Sequence, residues 1–525
     1  MPVLPPLSLS LAAQVLATTL TVALTGVLVA IGSSIRRKTR AQMLLAPVPG
    51  PKGAFLLGLF PELAKNLHRI YDFQAELITR YGGRMKTPWT IFNDNLIYLS
   101  DPKDVEHVLS TNMQNWIKSD RFIAAVGDIF GKTLLGINHA HTADSGAMFR
   151  IQRKVITRVF TANNFREFTE GVFHKYALRI VDVINSQGGK CEMHTIASQF
   201  TLQTIFDIGL GVSLEEFDKD LGVKFIDSMD YAFSSISARL IFKPYFRYLW
   251  WCMPSEYRLK RESKVMLDLI DGILHERLAE SEEKFAPRSD ILSLCIKKAR
   301  EYVTEGAVML DIETLRASVT GVLFAGRDTT SSTILYAFYN LAQYPEQQDK
   351  VLDELKSVDV ANLSYEDVKK LKYLDAFVWE TLRLHPTAPL NTKQAAEDDV
   401  LPDGTFIPAK TEVIISSYYM GRNNAKLWGE DQLVFKPERW LEMKTRPTAY
   451  EFPVFQGGPR ICPGMNMALL EAKIFIAILV EKFHVKMQDG EQIKDRPYVL
   501  APAMMMKGGL PLQLTPRDAA AAPAS

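Results

Sequence analysis

Residues 455–464 read Phe455-Gln456-Gly457-Gly458-Pro459-Arg460-Ile461-Cys462-Pro463-Gly464, and a long apolar run, 465–483, follows at once. The glycines and prolines make a shaped loop. A cysteine just ahead of a helix N-terminus feels the positive end of the dipole, which favours thiolate. Loop N–H groups can donate to the sulfur, and Arg460 offers a fixed cation two residues away. Phe455 can cover one face of a flat ligand, while Gly458 and Gly464 let backbone approach it closely. A lone cysteine is more often a small buried hydrophobe. The surrounding positions turn the reading here toward a thiolate ligand for haem.

Composition agrees with a large folded chain. Of 525 residues, 47% are hydrophobic, and 61 Lys+Arg against 60 Asp+Glu leave a net charge of +1. That balance gives no footprint for nucleic acid. The four cysteines are too sparse for a disulfide framework. No charged residue precedes Arg36, residues 7–31 are largely apolar, and Arg36, Arg37, Lys38 and Arg40 follow. A helix of that length, at ~1.5 Å per residue, reaches across a bilayer core. Residues 1–35 are therefore expected to be an N-terminal membrane anchor with the remainder on the cytoplasmic side. A cleaved signal peptide is the alternative, weakened by the missing basic start. Residues 36–51, basic and then proline-rich, read as a hinge, 52–517 as one catalytic domain, and 518–525 as a disordered tail. Helical patterns over 311–344, 365–385 and 465–483, with short strands at 96–99, 405–407, 412–416 and 510–514, give a mainly α fold with small β-sheets.

The 455–464 segment matches the F-x-x-G-x-R-x-C-x-G signature of the cytochrome P-450 haem-thiolate monooxygenases at every fixed position, and the chain resembles that family in other motifs, in order. Ala325-Gly326-Arg327-Asp328-Thr329-Thr330, inside the strongest helical pattern, is similar to the family's oxygen-activating element. The resemblance implies that Thr329 steadies dioxygen or a water beside it, that Asp328 relays protons, and that Gly326 opens a groove over the haem. Ala325 stands where some relatives carry a Glu esterified to haem, which implies non-covalent haem b. Glu380-Thr381-Leu382-Arg383 puts opposite charges on one helix face. With Arg439 of Pro437-Glu438-Arg439-Trp440, it resembles the family's Glu-Arg-Arg network. For the haem propionates the resemblance offers Arg460, then Arg153 of Phe149-Arg150-Ile151-Gln152-Arg153, then Lys393. Phe149 replaces the family's Trp there and loses an indole donor.

The family fold is implied, with Cys462 as the axial iron ligand, O2 as co-substrate, and an NADPH-cytochrome P-450 reductase as electron donor, cytochrome b5 being a further candidate. An endoplasmic reticulum membrane location is implied too. The stretches 325–330, 384–391 and 505–512 look most like the fatty-acid and alkane ω-hydroxylase branch of fungi and plants. Phe324, Ala388, Leu390 and Met504 are candidate apolar walls for a lipophilic substrate. The same walls suit a sterol or terpenoid. Isomerisation without O2, a haem sensor and a haem-free membrane scaffold are weaker readings, because the Asp328–Thr329 pair is intact. Residues 235–253, aromatic and basic, either dip into a membrane surface beside a substrate entrance or belong to the core.

Overall fold

The helix Ile312–Gln343 is buried along nearly its whole length, from Thr314 to Leu341. A helix enclosed on all sides belongs at the centre of a large domain. It packs on the helix Met193–Leu210 and on Met465–Lys482, where Phe338 and Phe200 both meet Phe475, with ring centroids 5.8 and 4.5 Å apart. The computed structural model describes residues 9–88, 90, 95–138, 143–160, 162–214, 219–241, 251–304, 312–488, 498–499, 501 and 503–517, without some side chains inside helices.

The architecture is mainly helical with small sheets. The 365–385 pattern is two helices: Tyr365–Lys370, opened by a reciprocal Ser364–Asp367 capping box, and Lys372–Leu384. Leu371 leaves helical angles between them (φ −72°, ψ 83°). The largest sheet runs Met85–Lys86, Leu96–Leu99, Glu412–Ser416, Leu390–Ala395, Trp116–Ile117. Leu96 pairs parallel with Glu412, and Lys393 pairs antiparallel with Val413. The strand expected at 510–514 is Pro511–Pro516, flanked by Phe483–Met487 and Lys190–Glu192.

A helix spans Leu9–Leu44. Its described apolar side chains include Val22, Leu24 and Val29, all more than 60% exposed. Among the described residues no helix is long and apolar enough to cross a membrane, and many side chains of the anchor expected over 1–35 lie outside the description. Over 36–51, read as a hinge, the chain is partly helical. The helix continues through it to Leu44, and Ala41, Leu45 and Val48 are buried. Asn95 Nδ2 donates to the Lys38 carbonyl (3.2 Å), and Lys86 Nζ to that of Leu45 (2.7 Å). These bonds fasten the helix end to the sheet. The tail, 518–525, lies outside the described residues.

Residues 242–250 of the aromatic, basic stretch also lie outside them. Arg239 does not face a membrane. It is 2% exposed, holds Asp128 at 2.7 and 2.9 Å and Glu256 at 3.2 Å, and donates to the Ala125 carbonyl. Trp251 is 71% exposed.

Glu380 has no exposed surface. Its carboxylate accepts from Arg383 Nε and Nη2 (both 2.8 Å), Arg439 Nε (2.9 Å), Trp440 Nε1 (2.9 Å) and the Lys436 amide (2.8 Å). Arg383 spends its remaining donors on the carbonyls of Gly421, Gln432 and Val434. A buried charge stripped of its partner is costly. Glu380→Ala is expected to lose about 3–5 kcal/mol of stability, whereas an exposed control, Lys356→Ala, changes it by less than about 0.5 kcal/mol; urea unfolding of both variants checks this.

Candidate active site

The cysteine loop closes on itself: the Cys462 amide donates to the Phe455 carbonyl (2.8 Å) and the Ile461 amide to that of Gly458 (3.0 Å). Gly458 has φ +59°, and a Cβ there would stand 2.1 Å from the Leu109 carbonyl oxygen. Both facts require glycine. Phe455 packs edge-on to Trp379 (5.7 Å), and Asn391 Nδ2 donates to Gln456. The loop is thereby tied both to the Glu380 helix and to the strand carrying Lys393.

Burial pushes the Cys462 thiol up, opposed by the amides of Gly464 and Met465 and by Arg153. The amides at the head of the Met465–Lys482 helix act as the sequence suggests. Among the described charged groups, Arg153 is the cation that favours the thiolate.

Arg460 reaches elsewhere. Its Nη2 donates to the Ile137 carbonyl (3.0 Å), and its guanidinium lies 4.2 Å from the centroid of Phe149. The Phe that replaces the family's Trp therefore supplies a cation–π face in place of an indole donor. Burial and Arg153 pull Arg460 down to about 10. Lys393 is 4% exposed and is pulled down to about 7 by burial and by Arg460. Lys118 joins them: burial, Arg460 and Lys393 press its ammonium well below the usual value, and it donates to the carbonyls of Leu134 and Leu135. Sequence reasoning missed Lys118, which sits in no local motif; its placement depends on the long-range pairing of its own backbone with Asn138.

Arg153, Arg460, Lys393 and Lys118 thus crowd together. Among the described residues, the charged groups that shift them are one another and Cys462. Such a set favours a dianion. A flat ligand with two carboxylates and a metal open to thiolate is haem, and the residues present fit it.

On the central helix, Val322, Ala325 and Gly326 are partly exposed and Thr329 is exposed, although their neighbours are buried. These positions share one face. Thr329 Oγ1 donates to the Ala325 carbonyl (2.6 Å). Gly326 has a second constraint. A Cβ there would fall 2.7 Å from Ile205 Cδ1, so the glycine also admits the Met193–Leu210 helix. Asp328 is buried, and one carboxylate oxygen lacks a hydrogen-bond partner. Burial, with Asp230 adding and Arg327 opposing, pushes it up to about 6. Phe324 is buried edge-on to Phe130 (4.9 Å). Met504 is buried, with its backbone bonded to Ser332 and Thr387. Ala388 and Leu390 are partly exposed.

Residues 48–512 match the family model for Cytochrome P450. The chain is 30% identical over 488 residues to "Cytochrome P450 CYP94D108" of Paris polyphylla, covering 88% of this chain and 92% of that protein. It is 28% identical to "Cytochrome P450 94B1" of Arabidopsis thaliana (89% and 91% covered) and 29% identical to "Cytochrome P450 86B1" of the same plant (88% and 85%). The chain belongs to the cytochrome P450 family. It is a monooxygenase, an oxidoreductase whose cofactor is thiolate-ligated haem b. The family works with a redox partner, O2 and a lipophilic substrate.

The Asp328 carboxyl binds its proton more tightly when folded, at about 6 against 3.8. The native state therefore holds an extra proton between those values, and stability falls as pH rises through that window. The fall is about 2–3 kcal/mol. Asp328→Asn is expected to abolish it, so that the variant exceeds the parent in stability at pH 7.5 and not at pH 4; urea midpoints at the two pH values measure this.

Proposed function

We propose that this monooxygenase hydroxylates long-chain fatty acids or alkanes at or near the terminal methyl. The observation that carries the reading is the apolar set next to the central helix. Phe324 packs edge-on to Phe130, and the bonds of Ser332 to Met504 and of Thr333 to Thr387 bring the 504–506 and 388–390 segments alongside as a candidate wall. An acyl chain needs only such a wall and no buried polar partner. The likeness of 325–330, 384–391 and 505–512 to the ω-hydroxylase branch supports the same choice. A sterol or terpenoid is the second reading, favoured by the adaptable Met504, Met505 and Met506.

Haem ligated by Cys462 supplies the oxidising chemistry. Arg460, Arg153, Lys393 and Lys118 would hold its propionates. Gly458 and Gly464 would let the backbone of the cysteine loop approach it, with Phe455 beside the loop. Ala325 offers no carboxylate for an ester bond. Thr329 orients a proton donor at the open face, and Asp328 passes protons to it from outside. The Glu380–Arg383–Arg439 network holds the loop.

An NADPH-dependent reductase feeds electrons, assisted by cytochrome b5. The N-terminal helix anchors the chain once through the endoplasmic reticulum membrane with the catalytic domain toward the cytoplasm. The apolarity of residues 7–31, the basic residues after them and the exposed Val22, Leu24 and Val29 support this placement.

The test is product analysis after reconstitution with reductase and NADPH, on saturated fatty acids of graded length. Terminal hydroxy acids are expected; oxidised sterols with no oxidised acids would contradict the assignment. Thr329→Ala is expected to keep substrate binding while product per NADPH consumed drops several-fold, with peroxide replacing it.

A further inference from the structure

Arg327 lies next to Asp328 on the central helix and forms a long ion pair with it but no hydrogen bond. Its side chain is 6% exposed, yet Nη1 reaches out to Asp230 Oδ1 on the Lys219–Ile241 helix (2.5 Å). Arg327 Nε stops 3.7 Å from Asp328 Oδ1, beyond hydrogen-bond distance. Arg327 Nε and Asp328 Oδ2 are each buried without a hydrogen bond. Arg327 is thus shared unequally between two carboxylates, and something sets the balance toward the outer one. The group that does so is Asp230, whose side chain is 58% exposed. It can retain its charge at little cost because water solvates it.

We propose that Asp230 is a positioning residue for proton delivery: it draws Arg327 away from Asp328, which leaves Asp328 free to take up and give a proton. The inference rests on the role of Asp328 stated above and adds the device that controls it.

The physical argument runs through the alternative arrangement. Without Asp230, Arg327 is a buried cation whose nearest carboxylate is Asp328, and a movement of about 1 Å closes a charge-assisted hydrogen bond. A carboxylate so paired stays ionised. The charged groups that act on Asp328, among the described residues, are Arg327 from its own helix and Asp230 from the helix packed against it. Removing Asp230 deletes a like charge and brings the cation closer, and both changes favour ionised Asp328. The Asp230 helix also pairs along its length with Pro254–Ala279. Displacement of that helical pair would release Arg327 just as the substitution does, so the device couples the position of these helices to proton supply.

The experiment uses the purified holoenzyme and reads Asp328 by infrared difference spectroscopy. The protonated carboxyl stretch is assigned by its loss in Asp328→Asn and titrated from pH 4 to 8. The parent band should fade near pH 6. In Asp230→Ala the midpoint should drop below pH 5, a tenfold or greater loss of protonated acid at pH 7. In Arg327→Gln it should rise, and adding Asp230→Ala to Arg327→Gln should lower the midpoint by much less than Asp230→Ala lowers the parent's, since only the direct charge of Asp230 is then lost. Turnover of Asp230→Ala should show kcat reduced several-fold, a larger solvent deuterium effect and an unchanged KM, with Asp230→Asn retaining part of the rate. A midpoint in Asp230→Ala equal to the parent's, a drop of undiminished size in the double variant, or no Asp328-dependent band at all overturns the proposal. A shifted midpoint with unaltered turnover also overturns it. The infrared result does not depend on which lipid is oxidised, so a wrong substrate class leaves the coupling of Asp230 to Asp328 standing.

Discussion

Glu380 places a full negative charge where no water reaches it, and the site depends on how that charge is met. Two arginines, an indole and a backbone amide converge on one carboxylate. Each donor comes with a segment attached. Arg383 pins the carbonyls of 421, 432 and 434, and Arg439 those of 428, 431 and 434. Trp440 then stacks with Trp379, Trp428 and Phe452, and Trp379 meets Phe455 at the start of the cysteine loop. A glycine-rich loop has little rigidity of its own, so this chain of contacts holds the sulfur in place.

The loop alone would present a buried thiol, which burial disfavours as thiolate. Two features answer that. The amides of Gly464 and Met465 and the Arg153 guanidinium lean toward the anion from the protein side, and the haem iron completes the stabilisation. Around it, among the described residues, Arg153, Arg460, Lys393 and Lys118 gather, and burial and their mutual repulsion lower the proton affinity of each lysine. A dianionic ligand would relieve that repulsion. Across from the cysteine loop's own helix, the central helix opens one face at Val322, Ala325, Gly326 and Thr329, and keeps Asp328 on the other, near water through Asp230 and Arg327.

Much of this was legible from local chemistry. Cys462, Arg460 and Phe455 lie within one ten-residue loop, and Glu380 and Arg383 within one helical turn, so short-range spacing sufficed. The central helix declared itself by a long periodic pattern. What escaped were partners brought together by packing. Lys118 sits by Arg460 through pairings far along the chain. Arg239 reads as surface charge because local sequence cannot see Asp128 and Glu256 converging on it. Arg327 has no role that its motif alone reveals, because its partner Asp230 lies on another helix. The break at Leu371 was hidden because the apolar pattern on both sides continues in phase, and the fastening of the N-terminal helix end depends on Asn95 and Lys86, far along the chain from the Lys38 and Leu45 carbonyls they reach.

The central claim is that Cys462 holds haem as a thiolate. The absorption spectrum of the reduced, carbon monoxide-bound protein tests it most directly. The account predicts a strongly red-shifted Soret band, characteristic of thiolate ligation, in the parent chain and its loss in Cys462→Ser. A parent spectrum of the imidazole-ligated type, or a red-shifted band that survives Cys462→Ser, would contradict it.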